Sequence, residues 1–65
     1  MRVYVNGEER ELEARTVGEL LALLGAPEDG VAVAVDGEVI PRSRRAEAPL
    51  HEGARVEVIR AVGGG

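Results

Sequence analysis

Apolar and polar residues alternate from the start of the chain. Val3 and Val5 share one face of an extended run over residues 1–6, which ends in Asn6-Gly7. Both residues of that pair accept positive φ, and a second alternating run follows at residues 9–14. There Leu12 and Ala14 fall on one face and Glu9, Glu11 and Glu13 on the other, so the pattern predicts a β-hairpin. The period then changes. Val17, Leu20, Leu21 and Leu24 recur at helical spacing. Thr16-Val17-Gly18-Glu19 is a capping box, in which the Thr16 hydroxyl accepts from the Glu19 N–H and the Glu19 carboxylate reaches back to the Thr16 N–H. Gly25 suits the left-handed residue that ends a helix, and Pro27 prevents continuation. A helix of about two turns over residues 17–24 cannot persist alone, so its leucines must lie on a sheet.

Val31-Ala-Val-Ala-Val35 alternates large and small residues into a second turn signal, Asp36-Gly37. A short strand at residues 38–40 is cut off by Pro41. Residues 42–49 read as a polar, irregular stretch with room for one helical turn, and they hold a basic cluster of Arg42, Arg44 and Arg45. That cluster reads as a solvated loop or as a docking spot for an acidic partner or phosphate. His51-Glu52-Gly53 marks a tight turn, with His51 a loop histidine of no catalytic task. The last strand, residues 55–61, turns Val56 and Val58 to one face and Glu57, Ile59 and Ala61 to the other. Val62-Gly63-Gly64-Gly65 follows, where the side chains disappear.

One helix can cover only one face of the resulting sheet, which gives an α+β layer pair. A mixed sheet results if the last strand lies beside the first in the same direction, as in a β-grasp; an all-antiparallel sheet fits the pattern nearly as well. The expected core is Val3, Val5, Leu12, Leu20, Leu21, Leu24, Val33, Val35, Leu50, Val56 and Val58. Ile59 and Ala61 are left on the uncovered face, beside the glycines, as the edge of a docking surface.

Composition narrows the chemistry. The 65 residues suffice for one domain, read as a folded body over residues 1–61 and a flexible tail over residues 62–65. There is no cysteine, hence no disulfide, thiolate metal site or thiol nucleophile, and one histidine is too few for a histidine metal site. A net charge of −4 and a single aromatic residue, Tyr4, argue against nucleic-acid binding. No apolar run is long enough for a membrane span, and the N-terminus carries no signal-like pattern, so a cytoplasmic location is the default. Every basic residue is arginine, which leaves no side-chain amine to accept an acyl group. The glycine run cannot pack a core, but it can thread a slot too narrow for a Cβ. Extended, residues 60–65 reach about 20 Å at about 3.3–3.6 Å each, enough to enter a partner's active site.

These residues resemble the prokaryotic sulfur carriers of the ThiS/MoaD family, with their ubiquitin-like β-grasp fold, and most closely the thiamine-pathway branch. The resemblance covers essentially the whole chain. It runs through Val5-Asn-Gly7, the Thr-Val-x-Glu-Leu-Leu start at residues 16–21, Ala34-Val-Asp-Gly-Glu-Val-Ile-Pro-Arg42 and the ending Val56-Glu-Val-Ile-Arg-Ala-Val-Gly-Gly-Gly65. It implies a mixed four- to five-stranded sheet with one main helix and a C-terminal end that needs no trimming.

The resemblance also implies a carrier cycle rather than an enzyme. A ThiF-like adenylating enzyme would use ATP and Mg²⁺ to convert the Gly65 carboxylate to an acyl adenylate. Sulfur from a donor such as a cysteine desulfurase would make the Gly65 thiocarboxylate, and a ThiG-like thiazole synthase would take that sulfur. Gly64, Gly63 and Val62 would be read as the tail, with Ile59, Arg60 and Ala61 as candidates for partner contact. The chain itself would bind no cofactor or metal. Two other readings share the tail: a carrier for molybdopterin, tRNA 2-thiouridine or cysteine synthesis, and a ubiquitin-like protein modifier. An unrelated interaction domain with a disordered glycine end shares neither chemistry.

Overall fold

The first hairpin forms as the alternation requires. Strands β1 (Arg2–Val5) and β2 (Glu8–Glu11) pair antiparallel around Asn6 and Gly7, at φ 50° and 83°. Two successive positive φ values match the right-handed twist of the flanking strands. The return strand stops at Glu11, short of the expected Ala14: the chain must turn there towards the helix, and Ala14 goes into the core instead. The computed structural model describes residues 1–27 and 30–60.

Helix α1 (Val17–Leu24) has the predicted bounds. Thr16 caps it, its hydroxyl accepting from the Glu19 N–H at 3.2 Å, and Gly25 ends it at φ 70°. The return half of the capping box differs by one residue. The Glu19 carboxylate accepts from the Arg15 N–H at 3.0 Å rather than from Thr16. Residue 16 forms an isolated bridge with Pro49, which aligns the cap with the loop before β5. Thr16→Ala is expected to lower stability by about 1 kcal/mol through the lost cap; a thermal melt checks this, and an unchanged midpoint would contradict it.

Strands β3 (Val31–Val35), β4 (Glu38–Ile40) and β5 (Arg55–Arg60) complete one five-stranded sheet in the order β2-β1-β5-β3-β4. The β1–β5 pair is parallel and the others are antiparallel, so the mixed β-grasp pairing holds and the all-antiparallel alternative does not. β5 therefore lies at the centre. The edge strands limit edge-to-edge association: β2 is Glu-Glu-Arg-Glu, exposed at every position, and β4 is only three residues long.

The helix lies over Val3, Val5, Val33 and Val56, with Leu20 and Leu21 buried against them. Leu12, Leu24, Val35, Leu50 and Val58, expected in the core, are only half-buried and pack around its rim. Their places are taken by Ala14, Val17, Val31 and Ala54. Ala54 is an example. Its carbonyl accepts from the Tyr4 N–H at 2.9 Å, which holds the residue before β5 against β1, and its methyl group is fully buried.

The stretch after β4 holds the anticipated helical turn, a 3-10 turn at Arg42–Arg44. Arg45 corrects the reading of this segment as a solvated basic cluster. It is buried, and its guanidinium donates to the Val31 carbonyl at the start of β3. The Gly18 N–H donates to the Arg45 carbonyl at 2.8 Å, and a Cβ at residue 18 would sit 3.2 Å from the Ala46 Cα. A glycine in the first helical turn thus permits close approach of the 45–46 backbone.

Candidate functional site

The site is the C-terminal half of β5 and what surrounds it. Antiparallel register with β3 runs to the last described residue, pairing Val33 with Val58, Ala32 with Ile59 and Val31 with Arg60. On the other side β1 pairs with β5 only through Tyr4–Arg55 and Val5–Val56. The Asn6 N–H then donates to the Val56 carbonyl at 2.9 Å, the last main-chain bond on that side. Beyond it the Asn6 side chain takes over. Its Oδ1 accepts from the Val58 N–H at 2.9 Å, and its Nδ2 donates to the Val58 carbonyl at 3.2 Å.

Strand alternation sorts the neighbouring side chains. Val56 is buried and Val58 half-buried beneath the helix, while Glu57 and Ile59 point to the uncovered face. Ile59 is 59% exposed there, as the sequence pattern requires. Register places Ala32 opposite Ile59, and Val39, 70% exposed, opposite Ala34. The uncovered face thus carries a low apolar patch over β5, β3 and β4, where small alanines leave Ile59 and Val39 standing proud. Val39, Ala32 and Ala34 were not anticipated as part of this surface. The large–small alternation of Val31-Ala-Val-Ala-Val35 was the available signal.

Arg60 separates from Ile59. It lies on the helix side, in a groove shared with Asn6, Arg10, Leu23, Leu24 and Val58. Ile59 and Arg60, two of the three candidates for partner contact, therefore lie on opposite faces of the end of β5. Ala61, Val62, Gly63, Gly64 and Gly65 lie outside the described residues.

His51 is part of an exposed latch at the opposite end of β5. Its Nε2 bonds the Asp36 carboxylate, and Nδ1 lies 2.9 Å from the Glu52 carbonyl. Asp36 also accepts from the Arg55 N–H at 3.0 Å. With an acceptor at each ring nitrogen, first the Asp36 carboxylate and then the Glu52 carbonyl, the imidazolium is favoured and the His51 pKa is raised above 6.5. The Asp36 pKa is lowered below 3.8, chiefly by the His51 bond and then by the Arg55 N–H. A raised histidine stabilises the fold below its unfolded value, and that contribution is lost as pH rises through the folded one. For the lowered aspartate, stability is lost as pH falls through its folded value. His51→Ala is accordingly expected to lower the melting temperature near pH 5.5 and to matter less near pH 8.5. Equal effects at both would contradict an ionised latch.

Among the described residues no group of three His, Asp or Glu side chains is placed to hold a metal ion. Nor, among them, is any helix long and apolar enough to cross a membrane.

Comparison with known proteins gives this geometry its context. The ThiS family profile matches residues 3–65. The sulfur carrier protein ThiS of Thermus thermophilus is 38% identical over 63 residues, covering 97% of this chain and 98% of that protein. A thiazole synthase of Paramagnetospirillum magneticum is also 38% identical, over all of this chain but only 20% of its own length. The crystal structure of the thiamine biosynthesis protein ThiS from Geobacter metallireducens superposes with a TM-score of 0.84 at 30% identity, each chain covered in full. Its solution structure gives 0.79 at 32% identity, with 88% of that chain covered. The chain belongs to the ThiS family, the sulfur carriers of thiamine biosynthesis.

Proposed function

We propose that the C-terminal carboxylate of Gly65 is the group that carries the sulfur, and that the chain acts as a co-substrate of partner enzymes in the cytoplasm. The observation that carries this reading is the central position of β5. β5 is paired with β1 as far as Val56 and with β3 as far as Arg60, and Ala61-Val-Gly-Gly-Gly65 follows it directly in the sequence, so the strand that leads to the glycines is anchored in the middle of the sheet.

A free carboxylate is a poor electrophile. It becomes reactive when one of its oxygens attacks the α-phosphate of ATP and pyrophosphate leaves, Mg²⁺ offsetting the charge on the partner enzyme. The outer sulfur of a persulfide, formed by a donor such as a cysteine desulfurase, then attacks the acyl carbon and AMP departs. A thiol then attacks the donor's own sulfur in this acyl disulfide, breaks the S–S bond that the persulfide brought, and forms a mixed disulfide with the donor, which leaves the thiocarboxylate on Gly65. The chain holds no cysteine of its own, so both sulfur and thiol come from outside. Gly63 and Gly64 keep the path thin enough for two active sites in turn, and Val62 is the last side chain a partner can read. A thiazole synthase that contains a segment like this chain supports an acceptor of the ThiG type.

The first step has a direct test. With a ThiF-like adenylating enzyme and Mg-ATP, the chain should stimulate pyrophosphate release, and a chain lacking residues 63–65 should not. Equal stimulation by the truncated chain would refute the assignment to Gly65.

In this reading the adenylating enzyme docks on the uncovered face, over Ile59 and Val39, with Arg60 and Ala61 as further candidates for contact. Ile59→Glu places a charge on that patch without touching the core. Affinity for the adenylating enzyme, measured by calorimetry, is expected to fall at least about tenfold, the effect of removing one well-packed apolar contact. Unchanged affinity would move the interface off this face.

A further inference from the structure

We infer that Asn6 is a positioning residue for the reacting end of the chain: its carboxamide clamps β5 at Val58 and fixes the direction in which the C-terminal segment leaves the sheet. The inference rests on the reading of Gly65 as the reacting terminus.

Asn6 is legible at once as a turn residue, since it sits at φ 50° before Gly7 at φ 83°. That role does not need a carboxamide, because Asp-Gly and Gly-Gly serve the same turn. The structure uses the side chain for something else. β1 gives its last strand pairing at Val5, opposite Val56, and Asn6 ends the main-chain ladder with its N–H on the Val56 carbonyl. Yet its Oδ1 and Nδ2 meet the Val58 N–H and carbonyl 52 residues later in the chain. A carboxamide presents an acceptor and a donor as a peptide group does, so it continues the ladder for one more step after the backbone has left it.

Position matters here. Val58 is two residues before the end of β5. From that point β3 holds β5 on one side and the Asn6 carboxamide is the hold on the other. Without it, the end of β5 becomes a one-sided edge free to twist, and Ile59 and Arg60, the last residues of the strand, lose their fixed direction. Reacting atoms displaced by about 1 Å can lose about a hundredfold in rate. The apolar docking patch lies on the uncovered face and does not include Asn6, so the effect should appear in turnover rather than in binding.

The test uses the full chain with Asn6→Gly, which keeps the turn and removes both bonds. Asn6→Asp, which keeps the acceptor and sets an anionic oxygen against the Val58 carbonyl, serves as the second variant. In Asn6→Gly the Val58 amide should exchange at least about tenfold faster, a local loosening without global unfolding. Backbone order parameters at Ile59 and Arg60 should drop from about 0.85 towards about 0.6. With the adenylating enzyme, kcat should fall at least about tenfold while KM stays within about twofold, since orientation and not docking has been lost. Asn6→Asp should fall between, and Thr16→Ala, destabilised at a remote cap, should retain its kcat.

Unchanged exchange at Val58, or unchanged kcat in a variant whose Val58 has been released, would overturn the inference. So would an equal loss of kcat in Thr16→Ala, which would reduce Asn6 to general stability. A parent chain that stimulates no pyrophosphate release would refute the carrier chemistry instead. The clamp itself would then stand or fall on the order parameters at Ile59 and Arg60.

Discussion

Gly64→Leu is expected to lower the rate of thiocarboxylate formation at least about a hundredfold while leaving the circular dichroism spectrum and melting temperature unchanged. The chemistry is carried by main-chain atoms, so a side chain beside Gly65 can only obstruct the approach of the α-phosphate and then of the persulfide. A leucine fills the space a glycine leaves and also restricts φ, which must adapt to two different active sites. The described core is built from residues 3–56, and a glycine has no side chain to bring to it, which is why stability should not change. Single-turnover reactions followed by intact mass would measure the effect. A normal rate would mean that neither partner encloses the segment in a slot too narrow for a Cβ.

Leu20→Ala is the complementary case, a loss of stability with no direct effect on chemistry. Leu20 is fully buried and the largest side chain at the centre of the core. Removing most of it forfeits transfer free energy and leaves a cavity, together about 2–5 kcal/mol. A chain of 65 residues at about 0.05–0.15 kcal/mol per residue has only about 3–10 kcal/mol in all. The variant should therefore melt far below the parent or be partly unfolded at room temperature, as urea titration would show. A loss under 1 kcal/mol would place the helix differently on the sheet.

Local chemistry explains what could be read in the sequence. Helix α1 was legible to the residue because an apolar stripe, a threonine cap, a left-handed glycine and a proline all point to the same element. The hairpin at Asn6-Gly7 was legible for the same reason. The parallel pairing of β1 with β5 was not, because alternation says which face a residue takes but not which strand lies beside it. It became an expectation only through resemblance.

Long-range side-chain bonds were equally hidden. Arg45 sits in a run of arginines that looks solvated, and only the folded chain brings the Val31 carbonyl to it. Glu19 reaches Arg15 rather than Thr16, and residue 16 is bridged to Pro49, a partner far along the chain that no local pattern announces. Asn6 was visible as a turn former, whereas its bonds to Val58 span nearly the whole chain. Ile59 was placed correctly on the uncovered face, but Val39 joins it only through the register of three strands.

The central claim is that Gly65 carries the sulfur, and intact-mass measurement tests it most directly. The chain would be incubated with Mg-ATP, a ThiF-like adenylating enzyme, a persulfide donor and a thiol, beside a variant bearing one extra residue after Gly65. The account predicts that the parent gains the mass difference between one sulfur and one oxygen, only when all components are present, with the change mapped to the terminal residue. The extended variant should not react, because its carboxylate is displaced by about 3.5 Å. A parent whose mass stays constant, or an extended chain modified at the same rate, would contradict it.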